Sequence, residues 1–272
     1  NFESPTDAGG NNVYDVTVQV SDGALTDTQS IAVTVTNVNE APLITSAAAA
    51  SVTENQTAAT TVTSSDVDGG APVYSIAGGA DAALFSIDSA TGVLTFNAAP
   101  NFEAPGDAGA NNVYDVTVQV ADGNGGFDTQ AIAVTVTNVN EAPVITNAAT
   151  ANAAENQTTG TTVTSTDVDG GSAVYSIVGG ADAALFSIDS ATGVLTFNSA
   201  PNFEAPTDAG GNNVYDVTVQ VADGNGGAGT RSIAVTVTNV NEAPLITSHG
   251  GGASARLSIA ENQAAVSALT SS

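Results

Sequence analysis

The sequence predicts an all-β protein built of tandem Greek-key sandwiches, and three observations predict it. The phrase Asn-Phe-Glu followed by Val-Tyr-Asp-Val-Thr-Val-Gln-Val opens at Asn1, Asn101 and Asn202, so one module of about 101 residues is repeated almost verbatim. Within a module the apolar residues alternate with period two rather than 3.6. Turn sequences rich in Gly, Asp and Asn separate the alternating runs.

Each element follows from its own residues. An opening strand is expected near Val52, with short strands around Val62 and Val73 to Ile76. Ala80 to Phe85 is the one stretch suited to a helical turn, with Asp81 as its cap. Phe85-Ser86-Ile87 and Val93-Leu94-Thr95-Phe96 flank Asp88 to Gly92, a hairpin in which Gly92 supplies positive φ. Tyr114, Val116, Val118 and Val120 alternate with Asp115, Thr117 and Gln119, giving one buried and one wet face. After the turn Asp122 to Gly126, Ile132, Val134 and Val136 repeat the pattern and close a second hairpin. About seven strands in roughly 100 residues make an immunoglobulin-like Greek-key β-sandwich. The sandwiches are expected end to end.

Counting between successive Val-Asn-Glu-Ala-Pro segments gives complete modules at 43–143 and 144–244. Residues 1–42 carry the C-terminal half of a module and 245–272 the start of another, so the chain reads as a window on a longer array. A complete module is large enough to bury its own core; the two partial ones are not.

Two Arg and no Lys stand against 28 Asp plus Glu, a formal charge of −26. Such a surface repels nucleic acid and anionic membrane, so neither is expected as a partner. The 42% apolar content in regular alternation argues against a disordered acidic chain. Without cysteine there is neither a disulfide framework nor a thiolate metal site. No apolar run is long enough to span a membrane as a helix.

The acidic residues gather at module ends. Around Asn138-Val139-Asn140-Glu141, the preceding module offers Glu54, Asn101 and Glu103, and the following one offers Asp167, Asp169 and Asp223. If loops from opposite ends of consecutive sandwiches face each other, six carboxylates converge there: Glu54, Glu103, Glu141, Asp167, Asp169 and Asp223. Like charges a few ångströms apart repel by roughly 1 kcal/mol per pair in water and about 4 at an effective dielectric near 20. Many such pairs rival a domain's whole stability of about 5–15 kcal/mol. With almost no basic residues, the counter-charge must be a bound cation. The ligands on offer are hard oxygens in loops, which select Ca²⁺ over zinc or copper, with Mg²⁺ an alternative less suited to a multi-carboxylate cage.

These residues carry a resemblance. The module resembles the cadherin-type repeat, in the bacterial form found in giant secreted adhesins and similar surface proteins. Ala154-Glu155-Asn156 resembles the family's Pro-Glu-Asn, Asp167-Val168-Asp169 its Asp-Ala-Asp, and Phe186 to Gly193 its Phe-x-Ile-Asp-x-x-Thr-Gly hairpin. Asn202-Phe203-Glu204 stands for its Asp-Tyr-Glu, Ala222-Asp223-Gly224 for its Ala-x-Asp-x-Gly, and Asn239-Val240-Asn241-Glu242-Ala243-Pro244 for its linker Asp-x-Asn-Asp-Asn-Ala-Pro. The resemblance implies sandwiches of cadherin type with several Ca²⁺ ions, typically three, at each junction. Here Asn138 and Asn101 replace expected aspartates and the linker is one residue shorter, so two to three ions per complete junction are expected. The implied ligands at the first junction are Glu3, Asn37, Asn39, Glu40, Asp66, Asp68 and Asp122. At the second they are Glu54, Asn101, Glu103, Asn138, Asn140, Glu141, Asp167, Asp169 and Asp223. At the third, Glu155, Glu204, Asn239, Asn241 and Glu242 form an incomplete set.

Other polar residues receive plainer readings. Asp107 and Asp208 are expected to be solvated turn residues, Asp115 and Asp216 to face outward on a strand, and Asp88 and Asp189 to organise hairpin turns. Asn55-Gln56-Thr57 and Asn156-Gln157-Thr158 match the N-glycosylation pattern as chance occurrences in a Thr-rich chain. His249 falls in a loop.

A site that recurs with each module belongs to its construction, which argues against an enzyme; paired glycosidase-like acids would be singular and lie in a cleft. The expected function is a non-catalytic extracellular or cell-surface spacer, stiffened by Ca²⁺ between neighbouring repeats of the same polypeptide. The alternative is a self-assembling filament, sheath or surface-layer subunit made of the same modules, with other copies as partners. Recognition of cell-surface ligands is expected to lie in parts outside this chain.

Overall fold

The computed structural model describes residues 1–244 together with Ser254, Glu261 and Asn262. The chain divides into two compact units, Asn1–Val139 and Asn140–Ser272. Expectations for the module opening at 245–272 and for His249 lie outside the described residues.

In the first unit, strands β1 (Val13–Ser21) and β2 (Thr26–Thr34) form a hairpin that pairs Tyr14 with Val33 and Val18 with Gln29. There follow β3 (Leu43–Ile44), β4 (Ala49–Thr53), β5 (Ala58–Thr61), β6 (Ser64–Ser65), β7 (Val73–Gly78), β8 (Phe85–Ile87), β9 (Val93–Phe96), β10 (Val113–Ala121) and β11 (Phe127–Thr137). One sheet has the order β4-β11-β10-β7, with β4 parallel to β11; a second has the order β5-β9-β8, and β3 pairs with β6. The chain passes from β7 in the first sheet through β8 and β9 of the other before returning as β10, a crossover that a simple meander lacks.

Alternation fixes which face is dry. Val116, Val118 and Val120 of β10 and Ile132, Val134 and Val136 of β11 are all at most 1% exposed. Leu94, Phe96 and Phe85 of the other sheet close over them. The rings of Phe85 and Phe96 lie 4.5 Å apart, and Tyr114 meets Phe96 edge-on at 5.1 Å. The buried Tyr114 hydroxyl accepts the Gly106 N–H at 3.2 Å, so the ring keeps a polar partner. In the β8–β9 hairpin, Asp88 Oδ1 accepts the amide N–H groups of Ala90 and Thr91, and Gly92 has φ +71°. A Cβ on Gly92 would lie 2.2 Å from the Val62 carbonyl oxygen, so glycine is required on both counts.

The second unit repeats this plan with β12 (Val144–Ile145), β13 (Thr150–Ala154), β14 (Thr159–Thr162), β15 (Ser165–Thr166), β16 (Val174–Gly179), β17 (Phe186–Ile188), β18 (Val194–Phe197), β19 (Val214–Ala222) and β20 (Ala228–Thr238). Its sheets are β13-β20-β19-β16 and β14-β18-β17.

Two expectations are corrected. Ala82–Leu84 is a short 3₁₀ turn, but Asp81 does not cap it through its side chain. That carboxylate is buried and accepts the N–H groups of Ala108 and Asp115 instead, tying the long loop to β10. Asp107 and Asp208 are not solvated: both are 6% exposed, and Asp107 receives the amide N–H groups of Asn111 and Asn112. A buried carboxylate needs such donors, and the loop wraps around it to supply them. Asp115 and Asp216 are exposed, as the alternation requires.

Candidate metal centre

Within the first unit, the linker of residues 37–42 runs between the β1–β2 hairpin and the sandwich that follows. Carboxylate oxygens of Glu3, Glu40 and Asp68, from three separate segments, lie within 4.8 Å of one another. Glu3 and Glu40 border a recess of about 310 Å³ walled by Phe2, Val38 and Val67. The linker is held on the sandwich by hydrogen bonds. Asn37 Nδ2 donates to Asp68 Oδ1 at 2.8 Å, the Glu40 N–H to Asp68 Oδ2 at 2.7 Å, and Asn39 Nδ2 to Asp122 Oδ2 at 2.6 Å. Asp66 Oδ1 turns back to accept the Asp68 N–H at 2.9 Å, setting the loop that presents Asp68.

The electrostatics divide this group. The Asn37 amide, followed by the Glu40 N–H, holds the Asp68 carboxyl below its ordinary range, and the Asn39 amide does the same for Asp122. Glu40 is pushed up, first by burial and then by the charges of Glu3 and Asp68.

The second unit repeats the arrangement at its own start. Asn140 Nδ2 donates to Asp223 Oδ2 at 2.7 Å, the Glu141 N–H to Asp169 Oδ2 at 2.6 Å, and the Asp169 N–H to Asp167 Oδ1 at 3.0 Å. The Asn140 amide is the main cause of a lowered Asp223 carboxyl. At the far end of this unit, oxygens of Glu155, Glu204 and Glu242 form another triad within 4.8 Å. Asn239 Nδ2 donates to Glu204 Oε1 at 2.7 Å, and Asn156 Nδ2 to Glu242 Oε1.

Glu54 and Glu155 are only 1% exposed. Glu155 Oε1 accepts the Val240 N–H at 2.8 Å and Oε2 the Phe203 N–H at 2.9 Å, which together lower its pKa. Glu54 makes the same pair of bonds with Val139 and Phe102. The end of the opening strand is thereby fastened to the linker that leaves the same module. Glu103 is half-buried in the first unit, and Asn138 and Asn241 are exposed. Asn101 Oδ1 accepts the Ala104 N–H at 2.6 Å, closing its own turn.

The sequence reading missed two residues at the first linker. Asp128 Oδ2 accepts the Ile44 N–H at 2.9 Å, anchoring β3; Asp27 holds that position in the first copy and Gly229 in the second unit, so two of the three copies carry the acid. Gly126 matters for its missing side chain, because a Cβ there would lie 2.4 Å from Asp122 Oδ2 and 2.8 Å from the Ala41 Cα. A run of turn glycines conceals which one faces the linker.

The carboxylates of Glu3, Glu40 and Asp68 offer hard oxygens, which suit a hard divalent cation. Among the described residues, no helix is long and apolar enough to cross a membrane.

Fold and linkers together define a tandem immunoglobulin-like repeat protein with acidic ends to its modules. The chain belongs to the bacterial Ig domain family, whose model matches residues 39–135 and 140–238. No curated protein matches it. Among solved structures it is similar to cadherin ectodomains. Human protocadherin-24 EC1-2 is 20% identical, with a TM-score of 0.53 over 74% of this chain and 100% of that one. The protocadherin gammaB4 extracellular domain is 22% identical, with a TM-score of 0.58 over 98% of this chain and 43% of that one. At these identities the likeness concerns the fold.

Proposed function

We propose that this chain is a non-catalytic extracellular spacer of an adhesin-like repeat protein, in which Ca²⁺ held at the linkers limits hinge motion between consecutive modules. The observation that carries the reading is the Glu3, Glu40 and Asp68 cluster, whose oxygens lie within 4.8 Å of one another in a chain with two Arg and no Lys. Glu3, Glu40 and Asp68 would hold one ion, with the Asn37, Asn39 and Asp122 oxygens as further candidates. Glu155, Glu204 and Glu242 would hold another. The ion supplies the positive charge that makes close approach of the carboxylates favourable.

The mechanism is linkage. A cation that binds the assembled linker and not the open one stabilises it by RT ln(1 + [L]/Kd), about 2.7 kcal/mol at a hundredfold excess over Kd. Millimolar calcium outside a cell supports this, whereas sub-micromolar cytosolic calcium leaves the carboxylates repelling. The domain limits taken from the repeat, 43–143 and 144–244, put each proposed site where one module passes to the next. Chelation with EDTA is expected to lower the melting temperature and to shorten the particle seen by small-angle scattering, both reversed by added calcium. Identical melting and scattering curves with EDTA and with millimolar calcium would sink the proposal.

A further inference from the structure

Four asparagine side chains at the linkers share one role: each turns its amide N–H groups toward a carboxylate. Asn37 reaches Asp68, Asn39 reaches Asp122, Asn140 reaches Asp223 and Asn239 reaches Glu204, all at 2.6–2.8 Å. An aspartate cannot do this, since an ionised carboxylate only accepts. At Asn37 an aspartate is what the cadherin-type resemblance leads one to expect, so the departure exchanges a charge for a donor. We propose that Asn37 and Asn39 are hydrogen-bond bridges that hold the linker on the sandwich of residues 43–139 before any cation binds, neutral donors in a chain with no lysine and two arginines. The Glu40 N–H completes the clasp by donating to the second oxygen of Asp68.

Three observations support the role. The contacts span 31 residues for Asn37 and 83 for Asn39, so they join distant segments rather than finishing a local turn. The same construction recurs in the second unit, where Asn140 joins Asp223 across 83 residues. Asp68 and Asp122 accept these amides at 2.8 and 2.6 Å, so the bridges act on the acids that crowd the linker. A linker fastened in this way is pre-organised, and the cation acts on a chain already close to its final path. The cost is calcium affinity, because a neutral ligand stands where a charged one would bind more tightly.

The test uses the whole chain with two substitutions at one exposed position. Asn37→Asp removes the donor and adds a charge; Asn37→Leu removes the donor alone at similar size. In EDTA both are expected to lower the melting temperature of the first unit by about 4–8 °C, the shift expected when the net contribution of one ordinary hydrogen bond is lost from a domain of about 100 residues. In calcium, Asn37→Asp is expected to bind about tenfold more tightly than the parent and Asn37→Leu more weakly. An unchanged metal-free melting temperature in Asn37→Leu overturns the inference. The calcium arm rests on the function proposed above. If Asn37→Leu melts lower in EDTA while no form responds to calcium, the bridges stand and the calcium reading fails. If every form responds to calcium and Asn37→Leu melts like the parent, the bridges fail and the calcium reading stands.

Discussion

Replacing Ala110 by glycine should stabilise the first unit. Ala110 has φ +48°, whereas the same place in the other copies of the repeat is held by Gly10 at +59° and Gly211 at +60°. The left-handed conformation is imposed by the loop: the Ala110 N–H donates to the Asp107 carbonyl at 3.1 Å, and Asp107 is buried with the Asn111 and Asn112 amides on its carboxylate. A residue with a Cβ costs about 1–2 kcal/mol in that region, and the extra freedom of glycine in the unfolded chain returns about 0.5–1. The net gain is about 0.5–1 kcal/mol, or roughly 2–8 °C in a domain of about 100 residues. The mirror experiment is Gly211→Ala. A Cβ at Gly211 meets nothing within 4 Å, so only backbone strain enters, and the second unit should lose a similar amount. Differential scanning calorimetry of the two variants measures both effects. If Ala110→Gly lowers the first transition, or Gly211→Ala raises the second, the strain argument is wrong.

Acid should destabilise the calcium-free protein. Asp68, Asp122 and Asp223 lie below the ordinary aspartate value of 3.8, each first through an asparagine amide, and Glu155 lies below 4.5 through the Val240 and Phe203 N–H groups. For Asp208 burial works upward, but the Asn212 and Asn213 amides outweigh it and the net shift is also down. A lowered folded pKa contributes stability that is complete above the unfolded value and is lost as pH falls through the folded one. Glu40 has the opposite sign: it is raised above 4.5, so its ionisation costs stability that acid restores. The lowered groups outnumber it, and the melting temperature in EDTA should fall from pH 5 to pH 3; a flat profile over that range contradicts the assignment. Gly126→Ala should disturb the Asn39–Asp122 bridge, since its Cβ would crowd both Asp122 and Ala41. Overpacking of this kind costs about 1–3 kcal/mol. A Cβ at Gly106 meets nothing within 4 Å, so Gly106→Ala serves as the control, and equal melting temperatures for the two variants would remove Gly126 from the linker argument.

Much of the fold was legible because its signals are local and repeated. Alternation located β10 and β11, and Asp88 with Gly92 specified a tight hairpin. The candidate site was legible only as composition. Sequence marked Glu3, Asn37, Asn39, Glu40 and Asp68 as oxygen donors, but which atom each one turns to its neighbour depends on contacts between segments far apart in the chain. Asn37 read as an oxygen ligand, yet its nitrogen faces Asp68. Asp107 read as a wet turn, yet its loop folds over it and supplies the Asn111 and Asn112 backbone N–H groups that a buried acceptor requires.

One phrase separates what each level decides. Val-Tyr-Asp-Val-Thr-Val-Gln-Val is identical at residues 13–20 and 113–120, and in both places it forms a strand in the same hairpin register. The sequence alone determined that much, because β-branched alternation and the following turn act within the hairpin. Burial was not so determined. Val116, Val118 and Val120 are at most 1% exposed. The second copy has Phe85, Leu94 and Phe96 from another sheet packed across it, and hydrophobic stabilisation requires that opposing surface. A strand can be written in eight residues, but its core must be supplied by residues elsewhere in the chain.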